Sequence, residues 1–309
     1  MSGPLVGAGL LLAASVLLAV GADLFTDNIG ALASRFKVSA LAVGVALAGA
    51  EPEEVTTAAI ASLRDRPGLA AGDAIGASIT VLTLILGLAA VALGVRLDRD
   101  LSVYASLAAM AALLAAGCLL DGTVTRPEGL ILVAAYVVFI VVVWRRERVS
   151  APGAGPAPGA APGARKAPGT IIAGTGLLLM TIGGRVAIGG AERMVATLGR
   201  SDAAIGMTAL GLVTSGELLA LIWASKRHGT ADLPASAVIG SVVCNCTLTL
   251  GVSAALRPLA APGVLRTAVV VVVLSLGLAA LVRRSQVLGR AAGAGLLTSY
   301  VLFVTVQLR

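Results

Sequence analysis

GAEPEEVTTAAIASLRDRPGLAAGDAIGASITVLTLILG (Gly49–Gly87) and VTSGELLALIWASKRHGTADLPASAVIGSVVCNCTLTLG (Val213–Gly251) are one pattern written twice. A constant offset of 164 residues sets Glu53 on Glu217, Ile75 on Ile239, Gly76 on Gly240, Thr83 on Thr247 and Gly87 on Gly251. The flanking segments repeat as well, GADLF at Gly21–Phe25 resembling GAERM at Gly190–Met194. Small-residue matches arise easily between Ala- and Gly-rich helices. A paired glutamate inside apolar sequence, in register with paired glycines, does not.

The surroundings of these stretches are apolar. The 309 residues are 58% hydrophobic and 13% charged, with a mean hydropathy of +0.98. Soluble domains are roughly 45–50% apolar and about 25% charged, so the surplus needs a bilayer as its solvent. The formal charge of +7 sits in short basic clusters between apolar runs, and aromatic residues make up 3% of the chain. That pattern fits membrane topology and excludes nucleic acid as a partner. Cys118, Cys244 and Cys246 lie in apolar stretches, and His228 is the only histidine, so the cysteines read as small packing residues without a disulfide or zinc role. The N-terminus has no basic n-region and runs directly into apolar sequence, which favours a retained span over a cleaved signal.

Apolar runs long enough to cross a bilayer recur ten times: Pro4–Phe25, Val38–Leu63, Leu69–Gly94, Leu101–Leu120, Glu128–Trp144, Thr170–Gly190, Ala203–Ser225, Leu233–Leu256, Val264–Val282 and Gly289–Val306. The expected architecture is an all-α polytopic membrane protein of ten helices. Residues 1–144 form a first five-helix repeat and residues 170–309 a second. Between them, residues 145–169 are Pro-, Gly- and Ala-rich and read as a linker. Five spans is an odd number, so the second half enters the membrane from the opposite side, making an inverted repeat of the kind secondary transporters use. Loops after the odd-numbered spans hold fourteen of the 23 basic residues, among them Arg35, Lys37, Arg145, Arg146, Arg148, Arg283 and Arg284. The positive-inside rule then puts the linker in the cytoplasm and both termini outside, in a plasma (inner) membrane.

The chemistry lies in the acidic residues of the spans: Asp23, Glu51, Glu53, Glu54, Asp73 and Glu217. A carboxylate at the bilayer centre costs roughly 2.5–3.5 kcal/mol on insertion scales, so such groups face a cavity, a partner or an ion. No lysine or arginine shares their spans, which makes a cation or a proton the natural counter-charge. Pro52 interrupts the helix beside Glu53 and frees backbone carbonyls. Thr56, Thr57, Thr214 and Ser215 add hydroxyl oxygens, the ligand type hard cations prefer.

These repeats resemble those of the cation/calcium antiporter superfamily, which includes the sodium/calcium exchangers. The family's GTSLPEL-type motif is matched by GAEPEEV (Gly49–Val55) and VTSGEL (Val213–Leu218), each one residue shorter. Its GNxxGSNxxN-type motif is matched by GDAIGASITV (Gly72–Val81) and SAVIGSVVCN (Ser236–Asn245). The resemblance implies ten spans in inverted five-plus-five topology and a midplane ion site. It implies that Glu53 and Glu217 are the ion-binding glutamates and that Thr214 and Ser215 are the family's Thr-Ser pair. Ser78 and Val242 fall where the family places an Asn or Asp ligand, and Val81 and Asn245 at the motif's final Asn. Valine cannot coordinate, and calcium takes roughly 6–8 oxygens, so Glu51, Glu54, waters or freed carbonyls have to complete such a site.

The expected function is secondary antiport by alternating access, exchanging calcium for sodium or protons, with no permanently bound cofactor and with the lipid bilayer and small cations as partners. Three other readings keep the fold: a sodium/proton antiporter, a passive channel, and a relative that does not transport. An intramembrane enzyme fits least, because no nucleophile–His or His-rich metal constellation is present.

Overall fold

A computed structural model describes residues 3–34, 51–150, 169–216, 218–219, 222, 225–226, 233–284 and 287–309. Ten helical elements run through them: α1 (Gly3–Ser34), α2 (Pro52–Leu63), α3 (Pro67–Leu93), α4 (Ser102–Cys118), α5 (Arg126–Ser150), α6 (Gly169–Leu198), α7 (Asp202–Thr214), α8 (Leu233–Leu256), α9 (Leu265–Arg283) and α10 (Arg290–Gln307). Six helices of the described residues are long and apolar enough to cross a membrane. The first half of the span expected at Val38–Leu63 and the linker interior, 151–168, lie outside the described residues. The basic start of the expected linker, Arg145–Ser150, continues α5 as helix.

Helix starts follow local chemistry. Proline opens α2 and α3, where a missing N–H costs nothing and the fixed φ suits the first turn. Glu53 and Glu54 occupy the first turn of α2, at the positive end of its dipole. Between these helices Asp65 adopts φ 61°, closing a three-residue turn. Ser201 caps α7 by accepting the Ala204 N–H at 3.2 Å.

The expected continuous span Ala203–Ser225 is instead broken at Ser215–Gly216. The N–H of Ser215 still reaches Gly211 O at 3.3 Å, but that of Gly216 turns to Val213 O at 3.4 Å. Ser215 lies one repeat from Glu51, the non-helical residue ahead of α2 with φ −89° and ψ 85°. Two repeat-equivalent residues thus stand at a helix end, Glu51 ahead of α2 and Ser215 after α7, although only the first is followed by a proline.

The inverted repeat is written into the contacts. Two short antiparallel pairs join the loops: β1 (Val95–Arg96) with β4 (Val287–Leu288), and β2 (Thr123–Val124) with β3 (Leu259–Ala260). An offset of 164 carries β1 onto β3 and β2 onto β4, so each pair is the repeat image of the other with the partners exchanged. The same exchange relates two glycine contacts. Gly87 of α3 meets Gly293 of α10, and its image Gly251 of α8 meets Gly129 of α5. Single π-helical turns also recur, Val81–Ile85 in α3 and Cys244–Thr249 in α8.

The core is formed by α3 and α8, whose most apolar windows are 83% and 89% buried, against 22% for α5 and 39% for α9. The outer helices present Leu130, Val137, Val138, Val270, Val273 and Leu276 outward, a surface suited to lipid. On one flank α1 and α6 pack along each other, with Gly7 against the Gly190 carbonyl and Gly21 against the Gly176 carbonyl.

A methyl added at Gly129 or Gly293 would sit 2.7 Å from the Gly251 or Gly87 carbonyl oxygen. Gly129→Ala and Gly293→Ala should each lose about 1–3 kcal/mol of stability. Gly277→Ala, which meets nothing within 4 Å, should lose none. Thermal unfolding of the detergent-solubilised protein checks all three.

Candidate cation site

The start of α2, the end of α7 and the middles of α3 and α8 converge in the centre of the bundle. Glu51, Glu53, Glu54 and Asp73 are all buried there, at 0–1% exposure, and so are Thr214, Ser215, Ser241 and Asn245. Among the described residues the first half supplies the acids and the second half the neutral donors that meet them. Glu51 Oε2 accepts from Ser241 Oγ at 2.8 Å and Asn245 Nδ2 at 3.3 Å. Glu54 Oε1 accepts from Ser215 Oγ at 3.0 Å, and Asp73 Oδ1 from Thr214 Oγ1 at 3.1 Å.

Glu51 and Glu54, three residues apart across the start of α2, also have their carboxyl groups against one another. Glu51 Oε1, Glu54 Oε2 and Asp73 Oδ2 remain buried without a hydrogen-bond partner. A buried carboxylate oxygen left unsatisfied is costly, and several together form a strong attraction for positive charge. Ion pairs do not relieve it: among the described residues the charge pairs join Arg64 and Arg66 to Glu192, Arg66 to Asp202, and Arg257 to Asp65.

The cluster is not a ready-made cage. Among the described residues no three Asp, Glu, His or Cys side chains converge closely enough to hold a metal ion by themselves. Any cation bound here takes a mixed set of carboxylate, hydroxyl, amide and backbone oxygens, as hard cations allow.

Of the residues singled out in the sequence, the structure bonds Asn245 to Glu51, Ser215 to Glu54 and Thr214 to Asp73, and buries Glu53 beside them. Glu217 lies outside the described residues. Ser78 is buried in α3, where its hydroxyl donates to Ala74 O at 3.1 Å and lies 3.6 Å from Cys246 Sγ. Asp23, named with the intramembrane acids, is exposed on α1. Ser241 was not among the expected ligands. Its signal was available, because Ser241 stands four residues before Asn245 and so shares its helix face. The cysteines are free and buried, and Cys244 packs its thiol against the Glu51 amide and the Tyr136 hydroxyl.

A membrane bundle of two inverted halves whose helix ends meet at buried carboxylates is the architecture of a secondary transporter. The chain belongs to the sodium/calcium exchanger protein family, whose sequence profile matches residues 6–145 and 168–309. It is 27% identical over 277 residues to the inner membrane protein YrbG of Escherichia coli, covering 82% of this chain and 81% of that protein. It is 26% identical over 253 residues to the putative antiporter CaxA of Alkalimonas amylolytica, covering 79% and 78%. Among solved structures it is similar to the sodium-calcium exchanger NCX_Mj soaked with Na+ and Ca2+, at 26% identity and a TM-score of 0.67 over 99% of both chains. Soaked with Na+ and Sr2+, the same exchanger gives 25% identity and a TM-score of 0.69 over 98% and 99%.

Asp73 and Thr214 join the two halves through one bond. Thr214→Val should cost about 1–3 kcal/mol by leaving that oxygen unsatisfied. In the Asp73→Leu background the same change should cost far less, and a double-mutant cycle on unfolding temperature measures the difference.

Proposed function

We propose that the chain is a secondary cation antiporter working by alternating access, exchanging calcium for sodium or protons at the central site. The observation that carries this reading is the group of four buried acids, Glu51, Glu53, Glu54 and Asp73, in spans that contain no lysine or arginine. Four carboxylates cannot stay ionised together in a low-dielectric interior, so the site takes up positive charge in every state of its cycle. A divalent cation neutralises two carboxylates at once, and leaving it behind requires sodium ions or protons in its place. That exchange of charge is what couples one ion's movement to another's. The family and the resemblance to NCX_Mj agree with this reading. Glu217, one repeat from Glu53, is assigned as the second half's acidic ligand on the sequence repeat.

A second reading, monovalent sodium/proton exchange, is favoured by the apolar residues at two repeat-equivalent ligand positions. Ala77 stands where the second half has Ser241, and Val81 where it has Asn245. Fewer neutral oxygens suit a smaller coordination demand. In either case the basic loops orient the linker towards the cytoplasm and the termini outward, in a plasma membrane.

Proteoliposomes loaded with sodium, and separately held under a proton gradient, should take up radiolabelled calcium against its gradient. Glu51→Gln, Glu53→Gln, Glu54→Gln and Glu217→Gln should each reduce coupled uptake at least about tenfold, the effect of roughly 1.4 kcal/mol of lost binding. Unchanged flux in all four variants defeats the carboxylate site. Sodium uptake driven by protons, with no calcium uptake, selects the monovalent reading.

A further inference from the structure

One polar residue beside the site has no part in the function described so far. Thr249 closes the π-helical turn Cys244–Thr249 of α8 and is fully buried. A helical threonine ordinarily gives its hydroxyl proton to the backbone carbonyl four residues back, and Thr80, Thr83, Thr208 and Thr247 all do so. Thr249 gives its proton to a side chain instead, donating to Asn245 Oδ1 at 3.1 Å.

That bond decides which end of the Asn245 amide faces the acids. With Oδ1 held by Thr249, Nδ2 points the other way, 3.3 Å from Glu51 Oε2 and 3.4 Å from Ser241 Oγ. Ser241 in turn donates to the same Glu51 oxygen. The row that starts at Thr249 thus ends in two donors, Asn245 Nδ2 and Ser241 Oγ, on one oxygen of Glu51. The Cys244 sulfur also lies against the Thr249 hydroxyl. One repeat away the three positions are Ile85, Val81 and Ala77, so the row exists only on α8.

We infer that Thr249 is a positioning residue for cation binding: it locks the Asn245 amide as a donor that holds Glu51 by Oε2. Asn245 then serves the site through its nitrogen and withholds its oxygen from the cation. Glu51 Oε1, which accepts from no neutral donor, is the oxygen left for the ion. The inference rests on the antiporter reading for its consequence in transport, and on the hydrogen bonds alone for its consequence in stability.

Thr249→Val keeps the shape and removes the donor, freeing the amide to rotate and present its oxygen. Apparent cation affinity, read from uptake or from cation-dependent thermal stabilisation, should fall roughly three- to tenfold. Thr249→Ser, which restores the hydroxyl, should stay within about twofold of the native protein. In the Asn245→Ala background Thr249→Val should change neither affinity nor the unfolding temperature of the cation-free protein. An effect of Thr249→Val that persists at full size in that background, or a Thr249→Ser variant as impaired as Thr249→Val, overturns the assignment. The stability cycle needs no transport. A native protein that moves no cation while the cycle is non-additive defeats the antiporter reading and leaves the positioning role standing.

Discussion

Negative charge without a fixed counter-charge, buried between two halves of a membrane bundle, is the constraint on which the rest of this structure depends. Glu51, Glu53, Glu54 and Asp73 are as buried as the leucines around them. Lysine or arginine in the same spans would satisfy them permanently and leave nothing for a mobile ion. Their partners are instead neutral donors, each contributed by the opposite half: Ser241 and Asn245 to Glu51, Ser215 to Glu54, Thr214 to Asp73. Neutral donors lower the cost of a carboxylate without cancelling its charge, so the group stays bound to its place and still attracts a cation.

Holding oxygens from both halves within hydrogen-bond reach demands that the helix backbones come close. Gly76 meets the Met207 backbone and Gly72 meets Ala203 and Gly206, which lets α3 lie directly on α7 beneath the acids. The end of α7 and the start of α2 then bring Ser215 and Glu51 to the centre. Packing by small residues and ligand placement are thus one requirement, because a side chain at Gly76 would part the helices that carry Asp73 and Thr214.

Much of this was legible in the sequence, for physical reasons that can be named. The repeat and its inversion followed from the offset between Glu53 and Glu217 and from an odd number of spans, since hydrophobic length and charge position are local properties. Pro52 marked the start of α2. The break at Ser215–Gly216 has no proline, and it is held by bonds that form only in the folded bundle. For Ser78, motif matching gives a position without a direction. One residue along a helix turns a side chain by about 100°, and the Ser78 hydroxyl lies beside Cys246. The roles of Ser241 and Thr249 depend on the π turn of α8, and nothing in local propensity marks where a helix will widen.

The exchanged contacts between repeats carry a consequence for assembly. Gly87 is covered by Gly293 and Gly251 by Gly129, and each short strand pairs with one from the other half. Neither half covers its own exposed edge, so neither is a self-sufficient folding unit. The surface that completes one half is a second copy of the same design turned upside down in the bilayer. Two separate chains inserted in opposite senses would meet through the same four contacts, and the covalent connection between residues 150 and 169 fixes a one-to-one ratio of the two orientations that free subunits would have to reach by insertion alone.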